Sequence, residues 1–291
     1  MSTFKGSSVA IGIFDGVHLG HRRILGRMLA EAARHGLWPT VVTFDPHPAQ
    51  VLHPPSRPPV LMSLAHRLRL FAALGVKKTV VIRFTKKFSQ VPRERFLEDF
   101  LIKKLRMRSL TIGHDFCFGY KGRGTARYLR ARGRELGFRL SQVSAVRQRG
   151  RIISSTSIRR LILRGQLEAA GRMLGRPVSI YGDVVRGKGR GRRLGFPTTN
   201  LNPHHETIPP SGVYAIKGGG VVHIGPRPTF GEKDPSIEAH FPGFKGSLYG
   251  REVELEFVRR LRGIRKFRNK KQLIEAIQND IITSSQIEEG E

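Results

Sequence analysis

The stretch from Val9 to His21 reads VAIGIFDGVHLGH and decides the architecture of the first half of the chain. Its beginning, Val9 to Phe14, is apolar and has the length and composition of a buried strand. From Gly20 to Arg34, apolar side chains recur at helical spacing. The stretch therefore predicts a strand, a glycine-containing turn and a helix.

The predicted turn has the features of an anion site. Gly16 and Gly20 let the backbone approach a ligand closely, and unpaired amides at a helix N-terminus favour a negative charge. His18 and His21, three residues apart, can both point at a bound phosphate. Zinc is a poorer match because no cysteine or acidic third ligand lies at a familiar spacing. The stretch predicts phosphate binding, with solvent-facing histidines as the alternative.

Length and composition limit the class of protein. A chain of 291 residues is long enough for roughly two domains, and 39% hydrophobic residues without low-complexity tracts are typical of a soluble globular enzyme or binding protein. The single cysteine, Cys117, excludes an intramolecular disulfide and fits a reducing compartment. Neither a signal peptide nor an apolar run near the roughly twenty residues of a membrane span is evident. We expect a cytoplasmic protein without membrane association.

The chain is strongly basic, with 52 Lys and Arg against 22 Asp and Glu, a net charge of +30. The basic residues concentrate in 121–151 and 259–271. Such a balance is compatible with a nucleic-acid partner or with a general arginine bias. Because neither segment interleaves aromatic residues suited to base stacking, the second interpretation is favoured and nucleic acid is not expected.

The first half alternates strand-like and helix-like segments. This pattern predicts a parallel sheet with crossover helices in an α/β nucleotide-binding domain. The predicted strands are Val9–Phe14, Thr40–Phe44, Thr79–Phe84, Ser109–Ile112 and Phe138–Val143. The predicted helices begin near Gly20, Leu64, Arg93 and Thr125, and two more, Ser157–Arg164 and Gln166–Leu174, close this half.

The pattern changes after Arg176-Pro177, where short alternating runs bounded by Gly and Pro replace long helices. The predicted strands are Val178–Val185, Gly212–Lys217, Val221–Ile224, Ile237–Phe241 and Val253–Val258. A final helix starts at the candidate N-cap Asn269. We therefore predict domains at 1–177 and 178–291, the second a small antiparallel barrel with a C-terminal helix.

Three further stretches of the first half carry polar groups suited to a ligand. Thr43–Pro48 (TFDPHP) and Gly113–Gly119 (GHDFCFG) follow predicted strands, at the sheet edge where open α/β folds bind ligands. Ser154–Arg159 (SSTSIR) combines hydroxyls and a guanidinium at a helix start, which suits phosphate. Each alone could be an ordinary turn, loop or N-cap, but together they favour one ligand site.

The second half contains Gly187–Asn200, GKGRGRRLGFPTTN. It lacks the terminal Lys-Ser/Thr of a Walker loop. Its glycines and cations could hold ATP, and Thr198 and Asn200 offer oxygen ligands suited to magnesium. A basic hairpin that contacts a nucleic-acid backbone is the alternative.

These motifs, in this order, resemble the family of bifunctional riboflavin kinase/FMN adenylyltransferases, the prokaryotic FAD synthetases, from Val9 to Asp280. The remaining matching motifs are Gly212–Ala215 (GVYA), Ile224–Phe230 (IGPRPTF), Ile237–His240 (IEAH) and Leu248–Gly250 (LYG). The resemblance implies a Rossmann-like nucleotidyltransferase domain that adenylylates FMN to FAD with ATP and releases pyrophosphate. It also implies a β-barrel domain that phosphorylates riboflavin to FMN with ATP and Mg²⁺.

The matching positions imply the site residues. The catalytic ones are His18, His21, Arg159 and Glu238. Those that bind nucleotide or flavin are Gly12, Phe14, Asp15, Gly16, Asp45, His47, Asp115, Ser155 and Thr156 in the first domain and Gly187, Lys188, Gly189, Arg190 and Pro197 in the second. Thr198 and Asn200 match the magnesium ligands. The expected partners are riboflavin, FMN, FAD and ATP, and the expected state is a monomer or weak oligomer.

The two reactions differ in their need for a base. The FMN phosphate is already largely dianionic near pH 7 because its second pKa is ~6, whereas a ribityl hydroxyl must lose a proton to attack. Glu238 shares a strand face with His240, but the sequence alone does not prefer it to Glu252, Glu254 or Glu256. The alternatives are an FMN adenylyltransferase with a weakened kinase domain and a basic nucleic-acid-binding protein on this scaffold.

Two stretches depart from the family pattern. Residues 241–247 lack the usual acidic side chains, and Arg151 stands one residue further than expected from the Ser-Ser-Thr motif.

Overall fold

The chain forms two compact units in the computed structural model, which describes residues 5–54, 59–187, 191, 194–204, 207–225 and 236–289. The first unit comprises Met1–Val60 and Leu64–Ser155, and the second comprises Leu61–Ser63 and Thr156–Glu291.

The first unit contains a five-stranded sheet in which every pair of neighbours is parallel, in the order β3-β2-β1-β4-β5. Its strands are β1 (Ser7–Ile11), β2 (Trp38–Asp45), β3 (Lys78–Arg83), β4 (Met107–Gly113) and β5 (Arg139–Val143). All five predicted strands are present, and the parallel sheet is confirmed. From β1 the chain adds β2 and β3 on one side of the sheet and then β4 and β5 on the other side of β1. The carboxyl ends of β1 and β4 therefore flank a topological switch point. Open α/β sheets generally bind ligands at such a point.

Helices connect these strands. They are α1 (Leu19–His35), α2 (Pro48–Leu52), α3 (Leu64–Ala73), α4 (Lys86–Ser89), α5 (Arg93–Arg95, continued by a π-helix at Phe96–Lys104) and α6 (Ala126–Leu136). Gly36 and Gly137 end α1 and α6 in the left-handed conformation, which glycine adopts without a Cβ penalty. A short hairpin, β6 (Arg147–Gln148) and β7 (Arg151–Ile152), follows the sheet and carries the exposed Arg151.

The second unit is built on a closed barrel in the order β10-β11-β12-β9-β8-β13. Its strands are β8 (Ser179–Val185), β9 (Thr199–Pro203), β10 (Gly212–Ile216), β11 (Gly220–Gly225), β12 (Ser236–His240) and β13 (Glu252–Arg262). Its helices are α7 (Ser155–Leu163), α8 (Leu167–Leu174) and α9 (Lys270–Glu289). The predicted barrel and C-terminal helix are confirmed, and Asn269 caps α9 by accepting a hydrogen bond from the Gln272 amide at 2.9 Å.

One row of the barrel interior shows which side chains form the core. Ile224, Ile237, Leu201 and Val184 are opposed in register on four neighbouring strands, and all are buried. Because side chains alternate along a strand, the flanking residues of these strands face outward. No helix within the described ranges combines the length and apolar character that crossing a membrane would require.

Candidate active sites

The turn between β1 and α1 forms the first candidate site. Phe14, Gly16 and Val17 have positive φ angles of 53°, 90° and 40°, and the Val17 amide donates to the Phe14 carbonyl at 3.0 Å. Asp15 and His18 are buried in this turn. The predicted strand-turn-helix order is present, and the turn brings His18 to the start of the helix.

His18 and His21 lie against each other at the first turn of α1. His18 is the N-cap, and its Nδ1 accepts a hydrogen bond from the His21 amide at 3.3 Å. The two imidazole rings stack with centroids 3.6 Å apart and an angle of 17° between their planes. A Cβ on Gly20 would lie 3.0 Å from the His18 ring, so the glycine makes room for this arrangement.

His21 is held neutral by its surroundings. Burial, the neighbouring His18 and the charge of Arg67 lower the pKa of His21 well below its usual value of 6.5. Its ring contacts the edge of Phe14 at 5.4 Å, and its Nδ1 has no hydrogen-bond partner within the described residues. A neutral imidazole with one unused nitrogen at a helix N-terminus is suited to hydrogen-bond a phosphate oxygen.

Arg67, on α3, is a residue of this site that the sequence analysis missed. Its guanidinium is only 5% exposed and donates to the Ile13 carbonyl at 2.7 Å and to Thr43 Oγ1 at 3.0 Å. It also lies 3.6 Å from Asp45 Oδ1. Burial lowers the pKa of Arg67, while the charges of Asp15 and Asp45 oppose that effect. Arg67 therefore ties the end of β1 to the end of β2 and places a positive charge there.

A sequence signal for Arg67 did exist. Arg67 stands four residues before the buried Phe71, so helical periodicity places both on the inner face of α3. A cation on an apolar helix face is uncommon unless it is paired.

The other predicted residues of the first unit have separate positions. Gly12 follows β1, Asp45 ends β2 beside Arg67, and His47 caps α2 through its Nδ1, which accepts from the Ala49 amide at 3.1 Å. Asp115 follows β4 with a side chain that is 81% exposed, 3.7 Å from His114.

The start of α7 contacts the β1–α1 turn through Ser155, whose Oγ donates to the Asp15 carbonyl at 2.8 Å. This bond joins two of the predicted phosphate motifs within the first unit. Thr156 and Arg159 follow on α7, in the second unit, with Thr156 exposed and Arg159 buried.

An apolar cavity of about 460 Å³ lies in the first unit beside α4 and the π-helix. Its lining comprises Lys87, Phe88, Gln90, Val91, Pro92, Arg95, Phe96, Asp99, Phe100 and Lys104. Phe88 and Phe96 also contact Phe44 and Phe118, which flank the carboxyl ends of β2 and β4. Phe88 and Phe96 therefore connect the cavity lining to an aromatic cluster at the carboxyl edge of the sheet.

A row of polar residues crosses the barrel and forms the second candidate site. Glu238 on β12 is opposed by Asn200 on β9 and by His223 on β11. Directly opposed residues of antiparallel strands place their side chains on the same face. The neighbours of Glu238 on β12, Ile237 and Ala239, are buried, so this row is on the outer face of the barrel.

The structure separates Glu238 from the three other carboxylates that the sequence left as alternatives. Glu252 accepts from the Tyr181 hydroxyl at 2.8 Å, Glu254 accepts from Ser179 Oγ at 2.8 Å, and Glu256 pairs with Lys217 at 3.5 Å. Within the described residues, Glu238 has no hydrogen bond or ion pair through its carboxylate. It is therefore the carboxylate of the four best able to accept a substrate proton.

The two predicted metal ligands, Thr198 and Asn200, lie just before β9 and near its start. His240 Nδ1 donates to the Pro197 carbonyl at 2.8 Å and so fixes the segment before β9 to β12. A Cβ on Gly191 would lie 2.9 Å from Thr198 Oγ1, and one on Gly187 would overlap the Asn200 amide. The glycines thus leave room for the side chains of Thr198 and Asn200.

The remaining predicted residues of this segment, Lys188, Gly189 and Arg190, lie outside the described residues. No group of three or more histidine, cysteine, aspartate or glutamate side chains suited to a metal ion occurs in the described part of the chain.

Comparisons with known proteins match the two halves of the chain to two enzyme families. Residues 1–157 match the FAD synthetase family, and residues 174–287 match the riboflavin kinase family. Three relatives are each described as a bifunctional riboflavin kinase/FMN adenylyltransferase. The relative from Listeria monocytogenes is 36% identical, and the alignment covers 94% of this chain and 89% of the relative. The relative from Bacillus subtilis is 35% identical, with 94% of this chain and 90% of the relative covered. The relative from Escherichia coli K12 is 33% identical, with 96% of this chain and 92% of the relative covered.

A similar solved structure is described as a macrolide-efflux protein from Streptococcus pneumoniae. It matches with a TM-score of 0.82 and 29% identity over 97% of this chain and 94% of its own.

Proposed function

The chain belongs to the family of bifunctional riboflavin kinase/FMN adenylyltransferases, and from this membership we infer which residues serve each reaction. The protein phosphorylates riboflavin to FMN and adenylylates FMN to FAD, with ATP as the family's phosphate and adenylyl donor. We place the adenylyl-transfer site around His18 and His21 and the kinase site around Glu238. The boundary between the two functional domains is assigned after residue 177.

The stacked histidine pair carries the adenylyl-transfer proposal. An FMN phosphate oxygen attacks the α-phosphorus of ATP, and the bond from that phosphorus to the pyrophosphate oxygen breaks. Because the attacking phosphate is already largely dianionic, the site must align two anions and stabilise the leaving charge. His21, neutral and at the N-terminus of α1, donates a hydrogen bond to the phosphates without needing to act as a base. His18 and Arg159 complete the proposed catalytic set.

The aromatic cavity of the first unit suits the flavin ring of FMN. Its apolar walls, including Phe88 and Phe96, match a flat ring system, and Lys87 and Arg95 at its lining match an anionic ligand. The proposed nucleotide and flavin contacts for adenylyl transfer remain Gly12, Phe14, Asp15, Gly16, Asp45, His47, Asp115, Ser155 and Thr156, to which we add Arg67.

Glu238 is the proposed base of the kinase reaction. Its carboxylate takes the proton of the ribityl 5′-hydroxyl while that oxygen attacks the γ-phosphorus of ATP, and the bond to the ADP oxygen breaks. Gly187, Lys188, Gly189, Arg190 and Pro197 form the proposed phosphate-binding segment.

Thr198 and Asn200 would hold a divalent cation, which we propose is Mg²⁺. A hydroxyl and an amide oxygen are hard ligands of the kind that Mg²⁺ takes together with substrate phosphates, and the close approach of Gly187 and Gly191 gives these side chains space. When bound, the ion would neutralise charge on the ATP phosphates.

We further propose a cytoplasmic location and a monomer or weak oligomer without a nucleic-acid partner. The support for the location is the exposed free thiol of Cys117, which suits a reducing compartment.

A two-substrate assay tests the proposal. Full-length protein with riboflavin, ATP and Mg²⁺ is expected to form FMN and then FAD, resolved by chromatography, whereas protein supplied with FMN forms FAD directly. Replacing Glu238 with Ala should lower FMN formation by about 100-fold or more and leave FAD formation from added FMN unchanged. FAD from FMN but no FMN from riboflavin would instead identify an FMN adenylyltransferase, and equal loss of both reactions in Glu238→Ala would contradict separate sites.

A further inference from the structure

His240, on β12, is a buried histidine two residues beyond the proposed kinase base. Because side chains alternate along a strand, its imidazole is on the same face of β12 as the carboxylate of Glu238. That face is the outer one of the barrel, yet only 9% of His240 is exposed. Another part of the chain therefore covers the imidazole.

The segment that leads into β9 contacts the imidazole of His240. His240 Nδ1 lies 2.8 Å from the Pro197 carbonyl oxygen, and the His240 and Phe196 rings meet edge to face with their centroids 5.9 Å apart. A carbonyl oxygen can only accept, so Nδ1 carries the proton of this hydrogen bond. The contact therefore determines which imidazole nitrogen is the donor.

The proposed metal ligands are opposed to the polar residues of β12. Asn200 is opposed to Glu238 in the register of β9 and β12. Continued two residues further, the same register places Thr198 across from His240. Opposed residues of antiparallel strands place their side chains on the same face. The proposed base, both proposed ligands and His240 thus share one patch of the barrel surface.

The backbone turns tightly before Thr198. The amides of Leu194 and Phe196 both donate to the Gly191 carbonyl, at 3.0 and 2.9 Å. A Cβ on Gly191 would overlap the Phe196 carbonyl oxygen and would lie 2.9 Å from Thr198 Oγ1. The hydrogen bond from His240 ties this tight turn to the strand that carries Glu238.

We propose that His240 is a positioning residue for the metal–ATP site of riboflavin phosphorylation, whose Nδ1–H fixes the peptide group between Pro197 and Thr198. That peptide group contains the accepting carbonyl and the Thr198 amide, so the bond fixes the backbone from which the Thr198 side chain extends. His240 itself neither binds the cation nor transfers a proton. This inference rests on the proposed role of Thr198 as a metal ligand.

Three substitutions at position 240 separate the hydrogen bond from the volume of the side chain. His240→Leu removes the donor. His240→Asn keeps a donor at nearly the same place, because the amide nitrogen of Asn and the Nδ1 of His are both attached to Cγ. His240→Gln is closer to histidine in volume but moves the donor one bond further from the backbone.

The kinetic readout is the dependence of FMN formation on ATP and Mg²⁺. We expect His240→Leu and His240→Gln to raise the KM for ATP and the Mg²⁺ concentration for half-maximal rate about tenfold. His240→Asn should stay within about threefold of the unchanged protein. The KM for riboflavin should change little in all three. FAD formation from added FMN, measured in the same preparations, should stay constant because it uses the first unit.

Binding of Mn²⁺ in the presence of ADP gives a readout that does not depend on turnover. Titration of the full-length protein, with free Mn²⁺ measured by electron paramagnetic resonance, should show binding at one site weakened about tenfold in His240→Leu and retained in His240→Asn. Any binding by the first unit is the same in every variant, so the difference between variants belongs to the second unit.

A second histidine of the same unit provides the control. His204 Nε2 pairs with Asp183 at 2.7 Å, so His204→Leu also removes a side-chain hydrogen bond of a histidine on the barrel, one that does not reach the segment before β9. We expect it to leave the KM for ATP, the Mg²⁺ dependence and Mn²⁺ binding unchanged.

Each outcome decides the inference. Unchanged ATP and Mg²⁺ dependence in His240→Leu, an equal effect of His204→Leu, or better recovery by His240→Gln than by His240→Asn would overturn it. Where His240→Leu does not fold, the comparison of His240→Asn with His240→Gln decides. Thr198→Val tests the assignment on which the inference rests: unchanged Mg²⁺ dependence and Mn²⁺ binding in that variant would overturn the proposed ligand and the inference together.

Discussion

The imidazole rings of His18 and His21 stack at the first turn of α1, with their centroids 3.6 Å apart. Burial at the β1–α1 turn lowers the pKa of His21 most, and the neighbouring His18 and the charge of Arg67 lower it further. His21 is therefore a neutral hydrogen-bonding group at the start of α1, and Arg67 places a positive charge near it.

The role of His21 predicts a selective loss of one activity. His21→Ala removes the hydrogen-bond donor that we propose contacts the phosphates, so FAD formation from FMN should fall about 100-fold or more. FMN formation from riboflavin should not change, because it takes place in the other unit. Steady-state assays with each substrate measure both rates.

A histidine at the opposite end of α1 is the matched control for that substitution. His35 lies in the last turn and its Nε2 is 3.5 Å from Glu31. His35→Ala should keep both activities. Loss of FMN formation in His21→Ala, or loss of FAD formation in His35→Ala, would argue against a site at the first turn.

The lowered pKa of His21 also predicts acid sensitivity of the first unit. In the unfolded chain His21 binds a proton near pH 6.5, whereas in the folded chain it does so only at a much lower pH. Below pH 6.5 the unfolded state therefore binds more protons, and the free energy of unfolding falls by at most about 1.4 kcal/mol per pH unit from this group. The fall ends when the pH reaches the folded-state pKa.

Urea unfolding of the full chain at pH 7.5, 6.5 and 5.5 measures this dependence. His21→Gln should reduce the slope for the first unit between pH 6.5 and 5.5, and His35→Gln should reproduce the original slope. An identical slope with and without His21 would show that other groups cause the acid sensitivity.

The fold was predictable where local patterns were strong. Each strand of the parallel sheet coincides with an apolar run in the sequence, and Asn269 was predicted as a helix cap from its residue type. The strand β9 was missed because Thr199–Pro203 contains a single buried apolar residue, Leu201, and so has no run to detect. Its partners β8 and β12 are what make it a strand.

The candidate sites were predictable only in part. The spacing of His18 and His21 indicated a phosphate site, because both residues belong to one short segment. Arg67 acts from a helix distant in sequence, and its relevance depends on which face of α3 is buried. His223 lies beside Glu238 only through the register of β11 and β12, which residue types alone do not specify.

Arg67 should matter for both stability and adenylyl transfer. Arg67→Met keeps much of the apolar volume but leaves the Ile13 carbonyl and Thr43 hydroxyl without this donor. We expect the free energy of unfolding of the first unit to fall by about 1–3 kcal/mol. At a temperature where the unit remains folded, such as 20 °C, we expect the rate of FAD formation to fall roughly tenfold. Urea unfolding and the FMN-supplied assay measure the two effects.

The exposed Arg69 on the same helix is the control for Arg67. Arg69→Met should change the free energy of unfolding by less than about 0.5 kcal/mol and leave both activities intact. Equal effects of the two substitutions would mean that the buried hydrogen bonds of Arg67 have no special role.

The ion pair between Arg262 on β13 and Asp280 on α9 should contribute to the free energy of unfolding of the second unit. Their side chains are 20% and 10% exposed, and Asp280→Leu leaves the guanidinium largely buried without its carboxylate. We expect the second unit to lose about 3 kcal/mol of unfolding free energy, whereas the double variant Arg262→Met, Asp280→Leu should lose less because no unpaired charge remains. Urea unfolding monitored through FMN formation measures both free energies of unfolding.

A more exposed ion pair of the same unit is the control. Lys217→Met breaks the 3.5 Å pair with Glu256 and should lower the free energy of unfolding by at most about 1 kcal/mol. A double variant as unstable as Asp280→Leu would show that the unpaired charge is not the cause.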